Sequence, residues 1–158
     1  PRIAQISRIM EELKYIDLQS VESDTISEPL NDFISDDVND LTYKIIGCAM
    51  EVHKTMGRGF LESVYKECLC IEFDKAGLDH EKEKKFELTY KGININKTYK
   101  ADFVINSEII LEIKAQNLLI NEDIKQTINY LAASKCKIGL LINFGENSLN
   151  FKRLVLSK

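Results

Sequence analysis

Hydrophobic and polar positions divide the 158-residue chain into a loosely patterned front and a tightly patterned remainder. Ile3, Ile6, Ile9, Met10, Leu13 and Ile16 recur at helical spacing, which predicts an amphipathic helix over 3–18. Such a stripe packs on its own domain or on a second copy, so a homodimer through the N-terminal helix is one expectation. A dedicated partner-binding helix is the sharper alternative. Residues 19–40 are rich in Ser, Asp and Asn, contain Pro29, and read as a loop or linker. The chain therefore divides into an N-terminal helix with an acidic linker, 1–40, and a domain over 41–158.

From Leu41 the pattern tightens. Leu41, Ile45, Ile46, Ala49 and Val52 form a helical face ending near Met56-Gly57, and Arg58-Gly59 is a turn. A second helix is predicted from Phe60 to Lys75, with Leu61, Val64, Tyr65, Cys68 and Leu69 on one side and Gly77 as its stop. Phe86, Leu88 and Tyr90 alternate with Lys85, Glu87 and Thr89, the signature of a half-buried strand. Further strands are predicted at 98–105 and 109–115, and a helix at 121–134 with Ile124, Ile128 and Leu131 as its core stripe. Ile138-Gly139-Leu140-Leu141-Ile142 is a short continuous apolar run, as in a buried strand. Phe151, Leu154 and Leu156 indicate a last strand. This order predicts an α/β (α+β) domain, a mixed sheet covered by helices.

The hairpin around Asn106 has a register that burial selects. A two-residue loop would put Asp102 and Glu112 on opposite faces and mix charged with apolar side chains. A three-residue loop, Asn106-Ser107-Glu108, pairs Ile105 with Ile109, Phe103 with Leu111 and Ala101 with Ile113, and sets Asp102 opposite Glu112. Because a slip of one residue moves every side chain to the other face, the three-residue loop is the expected one.

Charge changes the picture of partners. The net charge is −4, but residues 1–41 hold 3 basic and 10 acidic residues while 42–158 hold 18 basic and 15 acidic ones. The patterned domain is thus mildly basic, which permits contact with phosphates without demanding it. No window approaches the roughly 18 consecutive apolar residues of a membrane span, so no membrane association is expected. The first ten residues lack an apolar core and a small-residue cleavage site, so no secretory leader is read there. The chain begins at Pro1 rather than Met and reads as trimmed or as a fragment. Cys48, Cys68, Cys70 and Cys136 form no Cys-x-x-Cys pair and read as small hydrophobes in a reduced, cytoplasmic protein.

The candidate chemistry lies in that hairpin. Directly opposed carboxylates repel, and a sheet tolerates them when a divalent cation lies between. Asp102 and Glu112 offer hard oxygen ligands suited to Mg²⁺ or Mn²⁺, with the backbone carbonyl of Ile113 as a third. Lys114, on the Glu112 face, could orient or deprotonate an attacking water, or offset charge on a pentavalent transition state. That combination points to phosphodiester hydrolysis; the bland reading is a salt-bridge ladder on a solvated strand face. Gln126 and Tyr130, four residues apart, share a helix face away from the Ile124/Ile128/Leu131 stripe.

Gly59-Phe60-Leu61-Glu62-Ser63-Val64-Tyr65 resembles the signature of the GxxExxY proteins. The resemblance continues through Glu51-Val52-His53, Tyr90-Lys91-Gly92, Ala101-Asp102-Phe103, Glu112-Ile113-Lys114-Ala115, Gln126-x-x-Asn129-Tyr130-Leu131, Gly139 to Gly145 and Lys152-Arg153-Leu154, spanning 42–156. That family is similar to a branch of the PD-(D/E)XK nuclease superfamily with the Gln-x-x-x-Tyr element of RecB-like members. The resemblance implies a restriction-endonuclease-like αβββαβ core. It implies Glu62 as the helix-one acidic residue near the metal, Asp102 and Glu112 as the acidic ligands, Lys114 as the catalytic lysine, and Gln126 and Tyr130 as residues positioning metal, water or nucleic-acid backbone. His53 precedes Glu62 by nine residues; the resemblance implies a metal ligand there, against a capping or core histidine. Ala101 stands where the superfamily's Pro would be. The cysteines of iron–sulfur RecB-like nucleases are missing, so no iron–sulfur cluster is expected. The implied function is a Mg²⁺- or Mn²⁺-dependent nuclease acting on nucleic acid, with DNA favoured. The alternatives are a catalytically silent nuclease-fold module that binds nucleic acid or a protein, and a phosphoesterase acting on small nucleotides.

Overall fold

The computed structural model describes residues 36–156. The predicted helix over 3–18 and any dimer built on it lie outside those residues. Helix α1 spans Asp36–Met56 and α2 spans Glu62–Ala76. Strands β1 (His80–Tyr90), β2 (Ile93–Ile105) and β3 (Ile109–Lys114) follow, then α3 (Asn121–Ser134), β4 (Ile138–Asn143) and β5 (Asn150–Leu154). The five strands form one sheet in the order β1-β2-β3-β4-β5, with β3 and β4 parallel and the other neighbours antiparallel. Helix α3 is the crossover that a parallel pair requires. No helix of the described residues is long and apolar enough to cross a membrane.

Helices cover both faces. Adjacent β2 residues point to opposite sides of a sheet. Phe103 meets Phe73 of α2 edge-on at 5.5 Å, whereas Val104 packs with Ile110 and with Tyr130 and Leu131 of α3. All six residues of β4 are buried, which explains its unbroken apolar run.

Several element readings need correcting. Residues 36–40 are helical rather than loop: Val38 is buried and Arg153 of β5 donates to the Asn39 side chain at 2.6 Å, so this turn has partners to fold against. In α2 the buried line is Tyr65, Leu69 and Phe73, spaced by four, and Leu61 is 76% exposed as the residue before the helix. The β1–β2 hairpin is longer than its core-facing part, closing at Lys91-Gly92 with both residues in the left-handed region. Tyr90 and Ile93 at its end are exposed. Helix α3 is rotated from the expected stripe. Thr127 and Tyr130 are buried while Ile124 and Ile128 are only half-buried. The cause is the close approach of α3 to β4 at Gly139, where a Cβ would lie 2.8 Å from Thr127 Cγ2.

Candidate active site

The hairpin register is the expected one over its first three pairs, but the expected Ala101–Ile113 pair is missing from the ladder. Phe103 pairs with Leu111, Val104 with Ile110 and Ile105 with Ile109, around a turn in which Asn106 and Ser107 take left-handed φ of 49° and 59°. The backbone ladder ends at Phe103–Leu111. Beyond it the side chains take over. Glu112 Oε1 accepts the Asp102 N–H at 3.0 Å, and Asp102 Oδ2 accepts the Ile113 N–H at 2.8 Å. Each carboxylate thus replaces a ladder carbonyl of the other strand, and backbone pairing between the two strands stops at this level. The β1 ladder is also interrupted here: Glu83, facing Asp102 in register, takes φ of 55°. Ala101 consequently packs with Val104 and Ile110 rather than on the Phe103 face, and Asp102 turns its Oδ1 to the ammonium of Lys66 on α2.

Burial sets the electrostatics. Glu112 is 3% exposed, and its carboxyl is pushed up to about 8 by burial first and by the Asp102 charge second; the Asp102 N–H, Lys114 and Lys66 pull the other way. The Lys66 ammonium is opposed by burial, but its bond to Asp102 and the charges of Asp102, Glu62 and Glu112 outweigh that and hold it above its usual value. Glu62 opens α2 one turn before Lys66, on the same helix side.

On the α3 side, Lys114 donates to Gln126 Oε1 at 3.0 Å and lies 3.7 Å from Asp123 Oδ1. Gln126 Nε2 donates to the Tyr130 hydroxyl at 2.9 Å. Tyr130 is raised by burial chiefly, against the Gln126 bond, with Glu112 and Asp102 adding to the rise. Its ring leans on Tyr99 of β2 at 5.3 Å. Asp123 caps α3 by accepting the Ile120 N–H at 3.0 Å and also accepts from the Gln116 side chain.

Two supports fix these elements. Tyr65, fully buried, stacks on Phe144 at 4.5 Å; its hydroxyl donates to the Gly57 carbonyl at 2.7 Å and accepts the Phe60 N–H at 3.2 Å. It thereby ties the Gly57–Gly59 turn to the start of α2, where Glu62 sits. Buried Asn143 at the end of β4 accepts the Gln116 N–H at 3.0 Å and donates to the Gln116 carbonyl at 2.8 Å. This contact is so close that a Cβ on Gly145 would lie 2.2 Å from the Gln116 carbonyl oxygen.

The structure therefore brings Asp102, Glu112, Lys114, Gln126 and Tyr130 together, with Glu62 linked through Lys66. His53 is not gathered with them: its Nε2 pairs with the Glu146 carbonyl at 3.0 Å and its ring lies 6.1 Å from Phe144. Lys66 is the member sequence reasoning missed; four residues after Glu62, nothing in its spacing sets it apart from any other lysine on a helix.

Among the described residues no group of three or more His, Cys, Asp or Glu side chains is arranged to hold a metal. The donors present are the two carboxylates Asp102 and Glu112. They nonetheless fit a divalent cation in kind, since each is a hard oxygen donor and the charged form of Glu112 lacks the compensation a cation supplies.

A mixed sheet with helices on both faces, whose second and third strands deliver Asp102 and Glu112-x-Lys114, defines a restriction-endonuclease-like protein. The chain belongs to the PD-(D/E)XK nuclease superfamily, whose family model matches residues 39–154. No curated protein matches the chain. It is similar to the crystal structure of SSO0001, at 16% identity over 75% of this chain and 79% of that one, with a TM-score of 0.38.

Proposed function

We propose that the chain is a divalent-cation-dependent nuclease that hydrolyses phosphodiester bonds of nucleic acid, with DNA as its substrate, and that it is a GxxExxY-type member of its superfamily. The observation that carries this reading is the reciprocal Asp102–Glu112 arrangement with Lys114 beside it. Asp102 and Glu112 would hold Mg²⁺ or Mn²⁺, with the Ile113 carbonyl beside them. When bound, the cation supplies Lewis-acid polarisation of a phosphate and offsets its charge. The chain's own part is to place groups. Lys114 presents an ammonium next to Glu112, and Gln126 steadies it from α3 while Tyr130 steadies Gln126. A fixed cation aimed at developing negative charge stabilises a phosphoryl transition state without reorganising. Glu62 stands at the start of α2, where its charge acts on Lys66. The free cysteines fit a cytoplasmic setting. The test is cleavage of labelled single- and double-stranded DNA and RNA with Mg²⁺ or Mn²⁺. Cleavage that depends on metal and disappears in D102A and K114A supports the reading; cleavage unchanged in both variants overturns it.

One observation favours a second reading, a catalytically silent binding module: Lys66 already neutralises Asp102 within the chain. Metal-independent nucleic-acid binding without cleavage would support that reading.

A further inference from the structure

Lys66 has a place that the proposed chemistry leaves unexplained. Both oxygens of Asp102 are engaged by the chain itself, Oδ1 by the Lys66 ammonium and Oδ2 by the Ile113 N–H. The side chains of Lys66 and Asp102 are only 14% and 13% exposed, so this ion pair is sheltered rather than solvated. The Ile113 N–H is fixed by the strand. Lys66 is a point charge on a flexible four-carbon stem, so it is the partner that can leave.

Resting on the nuclease reading, we infer that Lys66 is the resident counter-cation of the Asp102–Glu112 pair, and that a divalent cation entering this site displaces its ammonium from Asp102. Lys66 then sets how much metal the site needs. Without metal it compensates the sheltered charge of Asp102 beside Glu112. With metal, keeping an ammonium on Asp102 would place two cations on one carboxylate, which Coulomb repulsion disfavours in a sheltered site. Glu62 receives the displaced ammonium. It lies four residues earlier on α2, its charge acts on Lys66 in the structure as it stands, and the i, i+4 spacing puts both on one side of the helix. In this scheme Glu62 favours metal binding by holding Lys66 away from Asp102, without itself needing to ligate the metal.

The test is Mn²⁺ titration by calorimetry on the full chain, with K66M, K66Q and E62Q variants and the K66M/E62Q pair. Removing a competitor that leaves about a tenth of the site free raises apparent affinity by the inverse of that free fraction, so K66M and K66Q should bind Mn²⁺ about tenfold more tightly than the parent. E62Q should weaken binding in the parent and have no effect in K66M. Thermal melting gives a readout independent of metal affinity: both Lys66 variants should melt lower in chelator and gain more from Mn²⁺ than the parent. K66Q keeps a donor for Asp102 and serves where K66M does not fold. Equal or weaker Mn²⁺ affinity in folded Lys66 variants overturns this inference and leaves the nuclease reading standing. E62Q weakening binding equally in K66M makes Glu62 a ligand and overturns the exchange. Absence of Mn²⁺ binding in parent and variants alike overturns both the inference and the metal-dependent reading.

Discussion

Asp102 and Glu112 exchange backbone partners: the Asp102 N–H donates to Glu112 Oε1 at 3.0 Å while Asp102 Oδ2 accepts the Ile113 N–H at 2.8 Å. The two acidic residues are therefore part of the sheet's hydrogen bonding as well as its candidate chemistry. Asp102→Ala removes an acceptor from a backbone N–H and a partner from Lys66. It should cost roughly 3 kcal/mol of stability as well as abolishing cleavage. Asp102→Asn keeps an acceptor for Ile113 and should cost less while abolishing activity equally. Urea unfolding of the two variants beside the parent checks the difference; equal stability losses would mean the side-chain bonds carry no weight.

The raised carboxyl of Glu112 has a defined sign. A group held at about 8 when folded, against 4.5 ordinarily, binds its proton more tightly in the folded state between those values. Stability of the metal-free protein should therefore fall as pH rises from about 5 to 8, by roughly 4 kcal/mol for this group at full linkage. Lys66, raised above 10.5, releases its own contribution only at higher pH. Glu112→Gln carries no such proton, so the stability difference between parent and E112Q should shift in favour of the variant across that window. Melting temperatures from pH 5 to 9 in chelator measure it, and a pH-independent difference would show that Glu112 is not held protonated.

Much of this is legible in the sequence, and the reason is periodicity. The β2–β3 register follows from alternation alone, since only the three-residue loop buries Phe103, Ile105, Ile109 and Leu111 together. The span of α3 matched its pattern, but its rotation did not: sequence favours Ile124 and Ile128 inward, whereas the missing side chain of Gly139 lets Thr127 approach instead. The break in alternation at Asp102 was hidden because it arises from side chains replacing carbonyls, which no residue pattern records. Lys66 was hidden for a related reason. Its reach to Asp102 depends on how α2 is turned over the sheet, a property of packing between elements distant in sequence. The outer half of the β1–β2 hairpin was not read: the second strand was expected only from 98, because Ile93-Asn94-Ile95-Asn96 is exposed and no burial backs its alternation.

Tyr65 should matter through position rather than contact with substrate. Its hydroxyl satisfies both the Gly57 carbonyl and the Phe60 N–H in a buried setting, and its ring stacks on Phe144. Tyr65→Phe preserves the stack and removes both hydrogen bonds, so it should destabilise by about 1–3 kcal/mol. Because the Gly57–Gly59 turn leads directly into Glu62, the variant should also lower activity modestly at temperatures where it is fully folded. Thermal melting and cleavage assays at low temperature separate the two effects. Activity lost only in proportion to unfolded protein would assign Tyr65 to stability alone.

Lys114, Gln126 and Tyr130 form a relay in which only the first group is placed beside Glu112 by the sheet itself. Removing the Lys114 charge should lower cleavage by on the order of 100-fold or more, as for loss of a preorganised group that meets transition-state charge. It should leave Mn²⁺ binding intact or tighter, since a positive neighbour of Glu112 is gone. Gln126→Ala leaves the ammonium in place but unsteadied, with Asp123 3.7 Å away as its remaining partner. The lysine should then swing toward Asp123, and activity should fall by about tenfold, less than for K114M. Tyr130→Phe removes one bond to Gln126 and keeps the ring against Tyr99, so its effect should be smaller still. The order K114M, Q126A, Y130F in falling severity is the signature of a relay read from its far end. Single-turnover cleavage under saturating Mn²⁺ measures it, and a Y130F defect as deep as that of K114M would place the Tyr130 hydroxyl in direct contact with the reacting phosphate instead.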